Sequence, residues 1–265
     1  MDSGAVIRPL PSSLTGRYPA LAGVVRVGAV CYYAKGEGGR VNAAAMHAKL
    51  PHLELRRCGP YLCNDPDQER FAALLAEGWV NVVDIRLPHE LPGVPGRDGP
   101  RRLYYSRDAC SYRPGELPVP DPHRAWARLF VFNLLTRNGD ACESNCVLCG
   151  GVPLLFDLGE TFNPHLAPIE AFIDAIGHPH AAGHYCYTWQ FAANYRPARA
   201  AELAEAMQVA LDLDPAAVGR RAVTVGCRED RVAEWVEYLR PRQASLVGDV
   251  ERVTRCFRAA VPGES

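Results

Sequence analysis

Lysine is almost missing from this chain. Only Lys35 and Lys49 are lysines among 29 basic residues, and 30 acidic residues bring the formal net charge to −1. A genome rich in arginine codons explains such a bias, and so does a bacterial effector that avoids lysine modification in a host cell. In either case a retained lysine indicates a place where the planar guanidinium of arginine does not replace a compact ammonium. The lack of a basic stripe argues against broad binding to nucleic-acid phosphates.

Long apolar runs are missing as well. A membrane-spanning helix needs roughly 20 apolar residues, and no window of the sequence approaches that length. Residues 1–16 also lack the basic segment followed by an apolar one that marks a secretory signal peptide. We therefore expect a cytoplasmic protein, acting in its own cell or delivered into a host, with no integral membrane part. Its ten cysteines are then expected to be reduced thiols.

Strand-like patterns precede helix-like patterns along the chain. Residues 20–35 are rich in valine and tyrosine in a loosely alternating pattern, which predicts a β-hairpin or a meander. Further elements are predicted from apolar spacing and glycine turns: strands at 79–85 and 103–105, a hairpin around Gly150–Gly151, and helices at 41–50, 68–77, 123–136 and over the last hundred residues. Proline and glycine accumulate at 88–100 and 114–122, which indicates a lobe boundary. The order predicts an α+β fold with a β-rich lobe over 1–105 and a mainly helical lobe over 106–265.

One segment concentrates the polar residues that suit chemistry. The predicted buried helix ends in the loop Arg137–Asp140, Asn145 follows five residues after Asp140, and the second hairpin leads into Asp157–Gly159. Phosphoryl transfer needs positioned charge more than covalent chemistry. One carboxylate can orient an attacking hydroxyl, while an amide oxygen and a second carboxylate can hold Mg²⁺, which prefers oxygen ligands. The spacing therefore favours a phosphotransferase.

The motif Asp140-x4-Asn145 followed by Asp157–Leu158–Gly159 resembles the catalytic and metal-binding loops of the protein-kinase-like superfamily. Asn138–Gly139–Asp140 resembles its divergent branch, the HipA-like kinases and phosphatidylinositol 3-/4-kinases. The resemblance implies a two-lobed kinase-like fold, with Asp140 as the catalytic carboxylate and Asn145 and Asp157 as Mg²⁺ ligands. It also implies ATP as the phosphoryl donor and a hydroxyl of a protein Ser/Thr or a small molecule as the acceptor.

The nucleotide-binding part of the resemblance lies near the N-terminus. Tyr32–Lys35 resembles the strand that presents the phosphate-binding lysine, and the loop over the phosphates would be formed by Ser12, Ser13, Thr15 and Gly16. The family usually pairs that lysine with an acid on the next helix. The predicted helix 41–50 has no such acid, so Glu37, Glu54 and Glu69 are the candidates. A pseudokinase that binds nucleotide or a partner without turnover, and an AMP-transferring enzyme, therefore stay open.

Two other clusters suggest metal binding. Cys142-x3-Cys146-x2-Cys149 has the spacing of a radical-SAM cluster motif, and a protein of that kind is the third interpretation. If Cys146–Cys149 is a strand, however, its two thiols point to opposite faces and do not converge on one cluster. Only 116 residues follow Cys149, short of the roughly 200 that a barrel needs. The second cluster comprises His178, His180, His184 and Cys186, and Pro179 and Gly183 favour a surface loop there.

Overall fold

The computed structural model describes residues 21–37, 40–41, 61–62, 65–92, 94, 102–138, 145–177 and 200–260. Within these ranges the chain is a mixed α and β structure with six α-helices and a small antiparallel sheet, as the sequence predicts. None of the helices in these ranges is both long and apolar enough to cross a membrane. The helix predicted at 41–50 lies almost wholly outside the described residues.

The sheet begins with the predicted hairpin. Strands β1 (Leu21–Val27) and β2 (Val30–Gly36) are joined at Gly28, whose φ of 60° lies in the left-handed region that glycine adopts without strain. Strand β2 pairs with β6 (Leu103–Arg107), and β6 pairs with β5 (Ile85–Arg86), so the order is β1-β2-β6-β5 with every pair antiparallel. Two separate pairs are β3 (Arg40–Val41) with β4 (Tyr61–Leu62), and β7 (Cys146–Cys149) with β8 (Val152–Leu155).

The prediction of a strand at 79–85 is wrong for most of these residues. Only Ile85 lies in a strand, and Val82 forms an isolated bridge to Leu155. Trp79 and Val80 instead continue the turn after a helix, since both backbone amides donate to the carbonyl of Ala76. The apolar run is buried by tertiary packing rather than by sheet pairing, and β propensity reflects burial of this kind as much as strand formation.

Three of the six helices begin with the same local signal. Asp65, Asp121 and Asp214 are N-caps whose carboxylates accept backbone N–H hydrogen bonds, and proline follows each of them. The helices are α1 (Pro66–Ala76), α2 (Pro122–Thr136), α3 (Ile169–Gly177), α4 (Ala200–Asp212), α5 (Pro215–Thr224) and α6 (Glu229–Ala260). The helices predicted at 68–77 and 123–136 are confirmed as α1 and α2.

The sheet separates a large core from a small one. On β6, Tyr104 packs in the large core with α1 and α2, while its neighbour Tyr105 packs in the small core with Val25 and Tyr32. Successive side chains of a strand point to opposite faces of the sheet, and this alternation places the two tyrosines in different cores. Lys35 on β2 is the direct partner of Tyr104, and its ammonium lies 5.9 Å from the centre of the Tyr104 ring. The lysine therefore lies on the side of the sheet where the large core is.

A buried ion pair connects the end of α2 to α6. Arg137 is the C-cap of α2 with a φ of 50°, and its guanidinium donates to Asp249 on α6 at 2.6 Å. The side chains of Arg137 and Asp249 are only 3% and 8% exposed. The pair fixes the point from which the predicted catalytic loop leaves the helix.

We expect Asp249→Ala to lower the free energy of unfolding by about 3–5 kcal/mol, because it leaves the buried Arg137 charge without its counterion. Glu237→Ala is the control, since Glu237 forms an exposed pair with Arg240 on the same helix. The control should cost no more than about 1 kcal/mol. Urea unfolding of both variants measures the difference, and equal losses would contradict the anchoring role of Arg137.

Candidate functional site

Two residues predicted from separate motifs meet in the structure. The ammonium of Lys35 lies 3.5 Å from a carboxylate oxygen of Asp157, although 121 residues separate them in sequence. Lys35 is near the end of β2, and Asp157 follows the end of β8. Their side chains are 14% and 28% exposed. The pair is thus partly shielded from water but still reachable by a ligand.

Asn145, the other predicted metal ligand, lies at the same end of the β7–β8 hairpin as Asp157. Cys146 pairs with Leu155, and beyond that pair the amide of Phe156 donates to the carbonyl of Asn145 at 3.0 Å. Asn145 is buried. A carboxylate and an amide oxygen brought to one hairpin end are ligands that suit Mg²⁺.

Glu69 on α1 is completely buried, and its carboxyl interacts electrostatically with both members of the Lys35–Asp157 pair. Its carboxylate accepts hydrogen bonds from the Tyr104 hydroxyl at 2.8 Å and from the Leu158 backbone amide at 3.2 Å. Burial and the negative charge of Asp157 raise the pKa of Glu69, whereas the positive charge of Lys35 and the two hydrogen bonds lower it, and the net result is a pKa of about 8. Glu69, one of the three acids that the sequence left open as partners of Lys35, thus has an ionisation that responds to both charges of the pair.

Gln68, which precedes Glu69 on α1, forms hydrogen bonds to the backbone that follows Asp157. The side-chain amide of Gln68 donates to the carbonyls of Gly159 and Thr161 at 2.9 and 2.6 Å. The Asp157 carboxylate itself accepts a hydrogen bond from the Gly159 amide at 3.2 Å. Consecutive residues of one helix, Gln68 and Glu69, thus contact three backbone groups of segment 158–161.

The start of the predicted catalytic loop contacts the end of this segment. The Phe162 amide donates to the carbonyl of Thr136 at 2.6 Å, and the Asn138 amide donates to the carbonyl of Asn133 at 3.0 Å. Phe162 has a φ of 54°, and its ring packs against Phe71 and Trp235. Tyr238 is a third aromatic neighbour of this ring. A non-glycine residue keeps a left-handed backbone conformation only when its surroundings hold it there, and these three rings do so for Phe162.

Several predicted residues lie outside the described part of the chain. They are the catalytic candidate Asp140, the phosphate-loop candidates Ser12, Ser13, Thr15 and Gly16, the alternative acid Glu54, Cys142, and the cluster His178, His180, His184 and Cys186. Glu37 is described, and its backbone amide donates to the carbonyl of Arg102.

The cysteine interpretation gains no support from the described residues. Cys146 and Cys149 both lie on β7, as the sequence predicts, and the thiol of Cys149 lies 3.3 Å from the carbonyl of Tyr112. Within the described ranges no three His, Cys, Asp or Glu side chains gather in a way that could hold a metal ion.

Sequence reasoning missed Gln68 and Tyr104. The run Asp65–Arg70 resembles an ordinary capped helix start, where acids favour the N-terminus, so nothing in it indicates that these polar side chains are buried. Tyr104 likewise fits an ordinary strand residue. Only the packing of α1 between the sheet and segment 158–161 gives both residues their contacts.

Comparison with protein-family models, with curated proteins and with solved structures finds no match to this chain. Inference about function therefore rests on the geometry around Lys35, Asp157 and Glu69.

The raised pKa of Glu69 gives a testable dependence of stability on pH. Between its ordinary pKa of 4.5 and about 8, the folded protein keeps a proton that the unfolded chain has released. The free energy of unfolding therefore falls as pH rises through this window. Glu69→Gln removes the titrating group, so in metal-free buffer its stability relative to wild type should grow from pH 5 to pH 8, by at most about 1.4 kcal/mol per pH unit.

Urea unfolding at pH 5, 6, 7 and 8 measures this trend. Glu229→Gln is the control, because Glu229 is exposed at the start of α6 and its difference from wild type should stay constant. A constant difference for Glu69→Gln as well would contradict the burial of an ionisable carboxyl at this position.

Proposed function

We propose that this chain is an ATP-dependent phosphotransferase with a two-lobed, kinase-like arrangement, which transfers the γ-phosphoryl group to a hydroxyl. The observation that carries the proposal is the Lys35–Asp157 pair at 3.5 Å, with the buried Glu69 carboxyl bonded to the Leu158 amide next to Asp157. A phosphate-binding lysine, a metal-binding aspartate and a helical glutamate are the charged groups that kinases must assemble.

Each member of the group suits one part of phosphoryl transfer. Lys35 offers a compact positive charge to phosphate oxygens, and Asp157 with Asn145 offers oxygen ligands to Mg²⁺. A magnesium ion there would neutralise charge on the β- and γ-phosphates. Lys35 and Asp157 neutralise each other when no nucleotide is bound, so neither charge is left unpaired in a half-buried place.

The order of elements supports the same proposal. Strand β2 with Lys35 is followed along the chain by α1 with Glu69, then by β5 and β6, and only then by α2, the polar loop and the β7–β8 hairpin. The strands of β1-β2-β6-β5 would form the small lobe, and α2 with the helices after it the large lobe. The loop from Arg137 to Asn145 would then lie at the junction, where Asp140 would orient the acceptor hydroxyl.

The acceptor is a hydroxyl of a protein Ser/Thr or of a small molecule. A chain with a net charge of −1 and no basic patch offers little attraction to anionic membrane lipids, which makes a lipid headgroup the least favoured acceptor.

Lys35→Ala should weaken binding of Mg²⁺–ATP at least about tenfold, a loss of ~1.4 kcal/mol, because the phosphates lose their nearest ammonium. Lys35→Arg should restore only part of the affinity, since a planar guanidinium does not occupy the same place. Arg26→Ala is the matched control, because Arg26 is an exposed cation on the same hairpin. Titration calorimetry compares the four proteins. Equal affinity for Mg²⁺–ATP in all of them would show that Lys35 does not bind the phosphates.

Asp157→Ala and Asp140→Ala should impair different steps of the reaction. Asp157→Ala should impair both Mg²⁺–ATP binding and turnover. Asp140→Ala should leave affinity within about twofold and lower kcat by about 10²–10⁴-fold, the usual loss for a positioned acid or base. The measurements are calorimetry with ATP and Mg²⁺, then ATP consumption over a panel of hydroxyl acceptors.

Two outcomes would change the assignment. If Asp140→Ala equals wild type in every transfer that wild type performs, Asp140 is not catalytic. If wild type binds Mg²⁺–ATP but transfers phosphate to no acceptor, the pseudokinase interpretation replaces the enzyme.

A further inference from the structure

Gln68 is a neutral residue whose contacts all point toward the candidate site. It is 2% exposed, and its side-chain nitrogen donates to the carbonyl of Gly159 at 2.9 Å and to that of Thr161 at 2.6 Å. A side-chain amide has two N–H donors, so these two bonds use its full donor capacity. Both carbonyls belong to the segment that follows Asp157.

Hydrogen bonds outside any sheet hold the backbone of this segment. Strand β8 ends at Leu155, so residues 158–161 have no sheet partner. The Leu158 amide donates to Glu69, and the far end is fixed where the Phe162 amide donates to Thr136. Between these two points Thr161 closes a turn, since its amide and its hydroxyl donate to the Leu158 carbonyl at 3.1 and 2.7 Å. The bonds from Gln68 tie this turn to α1 through the carbonyls of Gly159 and Thr161. The conformation of Gly159 in turn matters to Asp157, because the Gly159 amide donates to the Asp157 carboxylate.

We propose that Gln68 is a positioning residue for the metal-binding carboxylate of Asp157. By holding the carbonyls of Gly159 and Thr161, it keeps the Gly159 amide directed at Asp157 and so fixes the direction in which that carboxylate is presented. The inference rests on the proposed function, since it assigns a role within the same site. Groups that orient a metal ligand in this way typically change metal affinity by about 10–100-fold when they are removed.

If Gln68 has only a structural role, its replacement should lower stability without a selective effect on metal binding. The chain contains a matched control for this alternative. Gln243 on α6 also donates from its side-chain nitrogen to two backbone carbonyls, those of Ala210 and Leu213, at 2.9 and 3.0 Å. Those carbonyls lie at the end of α4 and just beyond it, in a different part of the chain from Asp157. Replacing either glutamine with methionine keeps its approximate length and removes the same number of donors.

The experiment compares Gln68→Met with Gln243→Met by calorimetric titration with ATP, in the presence of Mg²⁺ and in EDTA. In Gln68→Met the gain in ATP affinity that Mg²⁺ provides should fall about 10–100-fold, while affinity in EDTA stays within about twofold of wild type. Gln243→Met should keep both affinities. Urea unfolding should show lower stability in both variants, because each leaves two carbonyls without their donor.

The inference is overturned if Gln68→Met keeps the Mg²⁺-dependent gain as Gln243→Met does, and the proposed function then still stands. It is also overturned, together with the proposed function, if wild type binds ATP no better with Mg²⁺ than in EDTA. If Gln68→Met does not fold, Gln68→Asn is compared with Gln243→Asn by the same titrations. The shorter amide cannot reach both carbonyls, so the same selective loss of the Mg²⁺-dependent gain is expected, and its absence overturns the inference.

Discussion

The burial of polar side chains in the first half of α1 is the constraint on which the rest of the structure depends. Asp65, Asp67 and Glu69 are all completely buried, and an ionised carboxylate in such a place is very costly without a partner. Each therefore requires a donor from another part of the chain. Arg228 donates to Asp65, Arg102 and Arg228 donate to Asp67, and the Tyr104 hydroxyl and the Leu158 amide donate to Glu69. Arg231 adds an ion pair to Asp65 at 3.4 Å. The helix is thereby tied to the sheet, to the segment after Asp157 and to the start of α6.

Asp67 and Glu69 are two residues apart and equally buried, yet their environments act in opposite directions. Burial by itself raises the pKa of Asp67, but hydrogen bonds from Arg102 and Arg228 outweigh it and hold that pKa below its usual value. Around Glu69 burial and the Asp157 charge prevail, and the pKa rises to about 8. Because Asp67 and Glu69 lie on opposite sides of one helical turn, α1 presents a carboxylate paired with arginines to one side and a carboxyl with a raised pKa to the other. Shifted carboxyls of the second kind concentrate at functional sites.

This arrangement links stability to the candidate chemistry. A neutral side chain at position 69 would relieve the cost of burying an ionisable group, but it would also remove the carboxyl whose ionisation responds to the charges of Lys35 and Asp157. Natural proteins commonly keep such locally unfavourable groups where function needs them, and other contacts compensate for the cost. Here the compensation comes from the arginine pairs of Asp65 and Asp67 and from the aromatic packing of Phe71 against Phe162 and Trp235.

Much of the fold follows from local sequence signals. Gly28 and Gly150–Gly151 mark the two hairpins, Asp–Pro pairs mark the starts of α1, α2 and α5, and apolar spacing marks the faces of α6. Asn145 and Asp157 were candidates from one motif and Lys35 from a separate one, because a motif preserves residue type and spacing. The sequence could not show that residues 79–84 form a buried turn rather than a strand, since burial and strand pairing leave the same apolar pattern. Nor could it show that Lys35 pairs with Asp157 or that Gln68 contacts Gly159, because these contacts join residues that are far apart in sequence. Local sequence fixes the conformation of neighbours along the chain, whereas contacts of this range are decided only when the helix and the sheet pack together.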